Sequence, residues 1–519
     1  MPARAWPAVL CGLLVTLGVG GPVVYLLIRA LGADAGQAAD LLLRKRTFVL
    51  LGNTVLLGAA VLLGSTLLAF PYAWLTTRTE LRGRKLLTVL GTLPLAIPGY
   101  VLAFVWLSLG GDYGLGAHVL GVRLWRPSGF WGAAFVLTLY TFPYLFLNLR
   151  AGLQRLDPAL EEAAAAQGLG RWAVWRRVVL PQLRPAYLAG ALLVLLHVIA
   201  DFAVVSLMRY ETLSSAVYSQ YVAALDRTYG ALLALVLVAL AALLLVVDAR
   251  WLRGRLSEAL TLGGVRRARN VPLGRWREPA YAFAVGVPLL ALALPVTVLV
   301  VWMTRGTGAS MMVSGSFGGA LLNSVGVALG VALLAPAITF PLLYASLRGR
   351  GWLARLGERI PYLGFGIPPM AFGLALVFLS VRLLPGVYQT LGLLVAALTI
   401  RFMAEAAGPL RSALYRLPPA LEEAARSLGC GTLSVLRRVT GPLLWRGVAA
   451  AMALVFLASV KELPLTLILA PLGFDTLATN VWTYTEEALF AQAAPYALAI
   501  VGVAGLFVTG LVLKEDKWA

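Results

Sequence analysis

The sequence predicts an all-α polytopic membrane protein of about twelve transmembrane helices, arranged as two parallel six-helix repeats. Three observations predict it: the composition, a series of long apolar runs, and a polar segment that occurs twice. Of 519 residues, 60% are hydrophobic and 13% charged, where a soluble chain carries about 25% charge. Low charge with long apolar runs means a bilayer environment. The net charge of +20 does not point to nucleic acid, because the basic residues fall in short loops between apolar runs and form no continuous basic face. Cys11 and Cys430 are too few and too far apart for a disulfide framework or a metal-ligand cluster.

A spanning helix needs about 20 apolar residues. Such runs lie near 8–28, 48–75, 92–110, 129–149, 185–207, 229–249, 280–303, 320–346, 360–381, 389–411, 444–470 and 492–513. The first is long for a signal-peptide core and no clear A-x-A site follows it, so it reads as a retained anchor. Orientation follows from Lys and Arg in the short loops. Arg78, Arg82, Arg84 and Lys85 follow the second run, and Arg348, Arg350, Arg355 and Arg359 follow the eighth. The stretch 250–277 carries Arg250, Arg253, Arg255, Arg266, Arg267, Arg269, Arg275 and Arg277 with no apolar span, and reads as a linker. Even numbers of spans separate these segments, which places them together on the cytoplasmic side with both termini. The loop 471–491 has Asp475, Glu486 and Glu487 and no Lys or Arg, as expected of the outer side. Arg44, Lys45 and Arg46 depart from the rule and abut the second run.

The polar segment from Leu156 to Pro181, "LDPALEEAAAAQGLGRWAVWRRVVLP", returns as "LPPALEEAARSLGCGTLSVLRRVTGP" from Leu417 to Pro442, with fifteen of 26 positions identical at an offset of 261. The likeness extends upstream at an offset of 270. "GNTVLLG" at Gly52 faces "LNSVGVA" at Leu322, "AFPYAWL" at Ala69 faces "TFPLLYA" at Thr339, and Pro98 faces Pro368. The second half has therefore lost about nine residues between its third and fourth spans. The chain divides into a first half, 1–250, with its polar segment in 151–184; a cytoplasmic linker, 251–279; and a second half, 280–519, with its polar segment in 412–445. Parallel repeats place a pseudo-two-fold axis along the membrane normal, and a pathway commonly lies at their interface.

Within each polar segment the local signals are those of two short helices about a glycine. Asp157 caps a helix that begins with Pro158. Glu161 and Glu162 lie in its first turns, where the macrodipole favours acids. Gly168 stops it. A second short helix, Arg171 to Leu180, is expected to end at Pro181. The product is a cytoplasmic elbow too polar to span, and its duplication suggests a duplicated docking partner.

"EAAAAQG", Glu162 to Gly168, followed by Val178 and Leu180-Pro181, resembles the EAA motif of ABC-importer permeases. The second copy has Glu423, Ala424, Ala425 and Gly429, then Val439 and Pro442, with Gly441 where the pattern has Leu. The resemblance covers the whole chain, as a fused two-half permease of the type I importer (MetI-like) fold. It implies that each elbow is a coupling helix seated in an ATP-binding subunit, with Glu162, Ala163, Ala164, Gly168 and Pro181, and Glu423, Ala424, Ala425, Gly429 and Pro442, at the contact. The implied partners are two ABC ATPase subunits and an extracytoplasmic substrate-binding protein; no nucleic acid is expected. The chain has no G-x-x-x-x-G-K-[ST], and none of Lys45, Lys85, Lys461, Lys514 and Lys517 follows a glycine. It is therefore expected to be no enzyme and to bind no cofactor itself, ATP and Mg residing on the partner subunits.

Ionisable residues within spans are functional candidates by default. Asp201 and Glu462 occupy equivalent positions in spans five and eleven, and His197 lies one turn before Asp201. Arg401 and Glu405 share a face of span ten, their counterparts in span four are Tyr140 and Tyr144, and Lys461 adjoins Glu462. Paired acids near a pseudo-axis suit a cation, and their oxygens a hard one such as Fe(III). "SVKELPLTLILAPLGFDTLAT", Ser459 to Thr479, and "ADFAVVSLM", Ala200 to Met208, resemble iron(III)-importer permeases. Thiamine, polyamine and phosphonate permeases share the architecture. A secondary transporter also accommodates twelve spans but needs no duplicated docking elbow. A membrane enzyme would need a catalytic cluster, and the one other histidine is His118 in an outer loop.

Overall fold

The computed structural model describes residues 6–32, 35–112, 114–220, 227–252, 270–305, 315–348, 357 and 359–515. Among them the chain is helical and has no strand; one isolated bridge joins Thr79 to Val271. Ten helices are long and apolar enough to cross a membrane. They account for ten of the twelve expected runs, from Ala8–Leu31 to Phe490–Thr509. The two others are the matched third and ninth. The third is a broken pair, Arg84–Ala96 and Gly99–Leu109, bent by 92°, and the ninth is the short helix Pro369–Leu383. Proline is the cause in both. A residue before proline is pushed out of the helical region, and Ile97, ahead of Pro98, has φ −90° and ψ 118°. The Pro98–Pro368 match therefore marks a break in each repeat.

Spans five and eleven also depart from the expectation of unbroken helices. They end at Ala200 and Val460. The chain turns at Asp201–Phe202 and at Lys461–Leu463, then continues as the short helices Ala203–Leu207 and Pro464–Leu469. After each, a further short helix, Leu213–Ser219 or Leu477–Glu486, opens on a capping box, Thr212 with Ser215 and Thr476 with Thr479. The same tertiary bonds hold both copies. Asn53 donates to the Glu211 carbonyl as Asn323 does to that of Asp475, and the amides of Leu213 and Leu477 donate to Thr54 and Ser324. The deviant basic cluster has a local explanation: Arg46 pairs with Glu211 at 3.6 Å.

Span two packs along spans four and five, and span eight likewise along ten and eleven. The first helix of each half crosses over. Span one packs on Pro369–Leu383 and Gly315–Arg348, and Leu294–Met303 of span seven packs on Gly99–Leu109. The inner faces fill with aliphatic side chains and aromatic clusters such as Tyr72, Phe142 and Phe146. Outward, Leu17, Leu63, Leu67, Leu322 and Leu506 stand exposed, an apolar belt that a bilayer covers.

Candidate functional site

Four breaks in the helices meet at the middle of the bundle: the bend at Pro98, the segment before Pro369, and the turns at Asp201 and Lys461–Glu462. Between them lies a cavity of about 230 Å³. His197, Asp201, Arg401, Glu405, Lys461 and Glu462, the six pathway candidates of the sequence, all line it, together with Tyr100, Tyr140 and Tyr144. Asp201, Lys461 and Glu462 lie at the breaks themselves, where freed backbone groups pair with polar side chains, while His197, Arg401 and Glu405 reach the cavity from within continuous helices. Asp201 and Glu462 do the same work in each copy. The Val204 amide donates to Asp201 Oδ1 at 2.8 Å and the Leu465 amide to Glu462 Oε1 at 3.1 Å. Each acid thus caps the short helix after its turn and keeps further acceptor capacity for the cavity.

The remaining cavity groups are not symmetric. The first half supplies Tyr140, Tyr144 and His197, whose ring packs on Tyr144 with centroids 4.2 Å apart and whose Nδ1 lies 2.8 Å from the Leu193 carbonyl. The second half supplies Arg401, Glu405 and Lys461 at or beside the corresponding places. Arg401 donates to the Ile367 carbonyl at 3.1 Å and lies over the Phe365 ring. Lys461 Nζ donates to the carbonyl of Leu95 at 2.9 Å, so it bonds across the halves to the backbone of a broken helix, not to a neighbouring acid. Three carboxyl groups against two cations leave the lining with one formal negative charge when all are ionised. Among the described residues no group of three or more His, Cys, Asp or Glu stands close enough to hold a metal ion. The cavity is polar, and the described residues do not form a preassembled coordination cage in it.

The elbows form as read, with one correction. Asp157 accepts from the Ala159 amide, and Pro158 opens the helix Pro158–Ala166. Gly168 and Gly429 take φ of +83° and +84°. Around them the amides of Leu169 and Gly168 donate to Ala164 and Ala165, and those of Cys430 and Gly429 to Ala425 and Arg426, the double bond of a left-handed helix stop. The correction concerns the second arm, which does not end at Pro181. It runs through a π-turn, Trp175–Val179, into span five. A proline has no N–H to donate, and the widened turn, with Leu180 N donating to Trp175 O, absorbs the break. The second copy does the same over Leu436–Thr440, so Gly441 in place of Leu leaves the turn unchanged. Glu162, Ala163 and Gly168, and Glu423, Ala424 and Gly429, are exposed; Ala164 and Ala425 face inward; Pro181 is half-buried and Pro442 exposed. Arg350, Arg355 and the linker from 253 to 269 lie outside the described residues.

Four residues escaped the sequence reading. Arg78 Nη2 donates to Glu161 Oε1 at 2.8 Å, and Arg348 lies 3.7 Å from Glu422 Oε2. Glu422 also accepts from Tyr344 at 2.8 Å and from Thr440 at 3.3 Å. The signal was present: Arg78 and Arg348 match at 270, and Glu161 and Glu422 at 261. It was hidden because the acids lie beside the motif glutamates and read as ordinary first-turn acids.

The family model for the binding-protein-dependent transport system inner membrane component matches the chain twice, at residues 64–258 and 337–514. The chain is 32% identical over 514 residues to the Fe(3+)-transport system permease protein FbpB 2 of Haemophilus influenzae, covering 98% of each. It is 28% identical over 450 residues to the probable ABC transporter permease protein y4fN of Sinorhizobium fredii, covering 78% of this chain and 76% of that one. The molybdenum transport system permease protein ModB of Escherichia coli is similar at 28% identity over 193 residues, which is 35% of this chain and 82% of that protein.

Proposed function

The chain belongs to the family of binding-protein-dependent transport system inner membrane components, and we propose that it is the fused permease of an ATP-driven importer of iron(III). Two separate ATPase subunits seat on the elbows, and an extracytoplasmic binding protein delivers the cargo to the opposite face. The halves are 1–250 and 280–519, joined by 251–279, with both termini and both elbows in the cytoplasm. ATP closes the ATPase pair, the elbows move, and the cavity alternates between the two sides of the membrane. Glu162 and Glu423, exposed at matched places, make the ATPase contact. His197, Asp201, Arg401, Glu405, Lys461 and Glu462 line the passage.

One observation carries the cargo reading: the likeness to a protein named as an Fe(3+) permease runs through both halves at 32% identity. The cavity supports it when its acids are ionised, since three carboxylates then outnumber two cations and disfavour an oxyanion. Arg401 and Lys461 favour the second reading, an oxyanion importer. Uptake of radiolabelled ferric iron into proteoliposomes, with the ATPase and binding protein present, decides between them. We predict uptake that excess molybdate or sulfate does not reduce, and its sharp loss in Asp201→Asn with Glu462→Gln while the complex still assembles. Those replacements keep shape and most hydrogen bonding but remove charge. Unchanged uptake in that variant makes the two acids helix caps alone, and competition by molybdate transfers the cargo assignment to oxyanions.

A further inference from the structure

Spans two and eight are each 34 residues long. At 1.5 Å per residue that is about 50 Å, against a hydrocarbon core of about 30 Å. The excess carries their last residues, Arg78 and Arg348, out to the elbows. There each arginine reaches the glutamate that immediately precedes the motif glutamate. Neighbouring residues on a helix point about 100° apart, so each elbow turns one acid outward, Glu162 or Glu423, and the other inward, Glu161 or Glu422. Arg348 also holds the elbow's entry, its Nη2 donating to the Leu417 carbonyl at 2.7 Å. The match is spatial and not a by-product of local sequence, because the arginines repeat at 270 and the acids at 261, on either side of the nine-residue loss.

Energetics point away from stability as the reason for these pairs. A buried ion pair contributes little net over an apolar pair of the same volume, although losing one partner is costly. Mechanics differ more. Apolar side chains resist compression but slide under tension, whereas a short hydrogen bond resists displacement in either direction: Arg78 donates to Glu161 at 2.8 Å, and Tyr344 of span eight donates to Glu422 at 2.8 Å, beside which Arg348 stands 3.7 Å away as an ion pair. We propose that Arg78–Glu161 and Arg348–Glu422 are the tethers through which the elbows pull and push spans two and eight. These four residues are positioning residues distinct from the docking surface, and the assignment rests on the reading of the elbows as ATPase seats.

The test does not depend on cargo. Leu67 and Ala337 are matched, exposed positions on spans two and eight. Spin labels on Leu67→Cys and Ala337→Cys, with Cys11→Ser and Cys430→Ser, report the separation of these spans in the permease–ATPase complex. A non-hydrolysable ATP analogue should shift that separation in the otherwise unaltered protein. Glu161→Ala with Glu422→Ala should retain copurification with the ATPase and lose the shift. Exchanging the partners, Arg78→Glu with Glu161→Arg and Arg348→Glu with Glu422→Arg, should restore it, which a merely misfolded protein would not do. A normal shift in the Ala variant overturns the tethers. So does loss of ATPase copurification in that variant, which would move the inner acids into the docking surface, and so does failure of the exchanged pairs to restore movement. If the unsubstituted complex neither assembles nor shifts, the elbow reading falls first and the tethers with it, and that result appears before any glutamate is changed.

Discussion

The two elbows share fifteen of 26 residues, yet they are anchored differently. In the first, Glu161 meets Arg78; in the second, Glu422 meets Arg348, Arg426, Tyr344 and Thr440. At the places of Tyr344, Arg426 and Thr440 the first half has Trp74, Ala165 and Val179. A cavity of about 630 Å³ walled by Trp74, Trp172, Trp175 and Trp276 lies beside the first elbow. The burial follows: the Glu161 side chain is 26% exposed and that of Glu422 is 3%. Both copies keep Glu162 and Glu423, Ala163 and Ala424, and Gly168 and Gly429 outward, but the partners of the inward acids differ.

The largest effect expected tests what the elbows share. Glu162→Ala with Glu423→Ala is predicted to abolish transport and weaken ATPase copurification, with the permease still monodisperse in detergent. Normal copurification and uptake would remove the docking role from both glutamates. Next come the anchors, where the elbows differ. Glu422→Ala removes a buried carboxylate with four partners, Arg348, Arg426, Tyr344 and Thr440, and is expected to cost about 3–5 kcal/mol. Glu161→Ala removes a partly exposed carboxylate with one partner, though it leaves the buried Arg78 without its acid, and is expected to cost about 2–3 kcal/mol. Thermal midpoints of the two variants in one detergent check the order, and equal midpoints would cancel the asymmetry.

The glycines sharpen the comparison from the other side, because here the copies are alike. Nothing lies within 4 Å of a Cβ added at Gly168 or Gly429, so alanine there meets only the left-handed backbone. Each change is predicted to cost about 1–2 kcal/mol, nearly the same in both elbows. A clear difference between them in the same melting assay would show that the elbows bend differently. Smallest is the cap. Asp157→Ala removes a side-chain cap worth about 1 kcal/mol, while Pro418, its counterpart, has no side chain that caps. Protease nicking of the first elbow should rise for Asp157→Ala, and that of the second should stay level for Pro418→Ala.

Much of the site was legible because the chain contains its own comparison. The elbows, their bounding glycines and the Asp201–Glu462 pair were picked out by recurrence at a fixed offset, and the other four cavity residues by charge or polarity in an apolar setting. Other features were not. The breaks at Asp201 and Lys461–Glu462 lie inside apolar stretches long enough to span, and no local signal separates a capped turn from a continuing helix when tertiary bonds decide. The π-turn before Pro181 was invisible for a related reason. A proline states that one hydrogen bond is missing, but not whether the helix stops or widens to pass it.

By itself the sequence determined the membrane environment, the two-fold repeat and the elbow geometry, because these rest on composition, periodicity and local backbone preference. Only the tertiary structure decided that His197, Asp201, Arg401, Glu405, Lys461 and Glu462 line one cavity. It alone decided that Lys461 bonds to the Leu95 carbonyl and that Glu161 and Glu422 turn inward to Arg78 and Arg348. The physical reason is the same in each case. A buried polar group must find a partner, and where helices break and cross, that partner lies tens or hundreds of residues away, beyond the reach of any local rule.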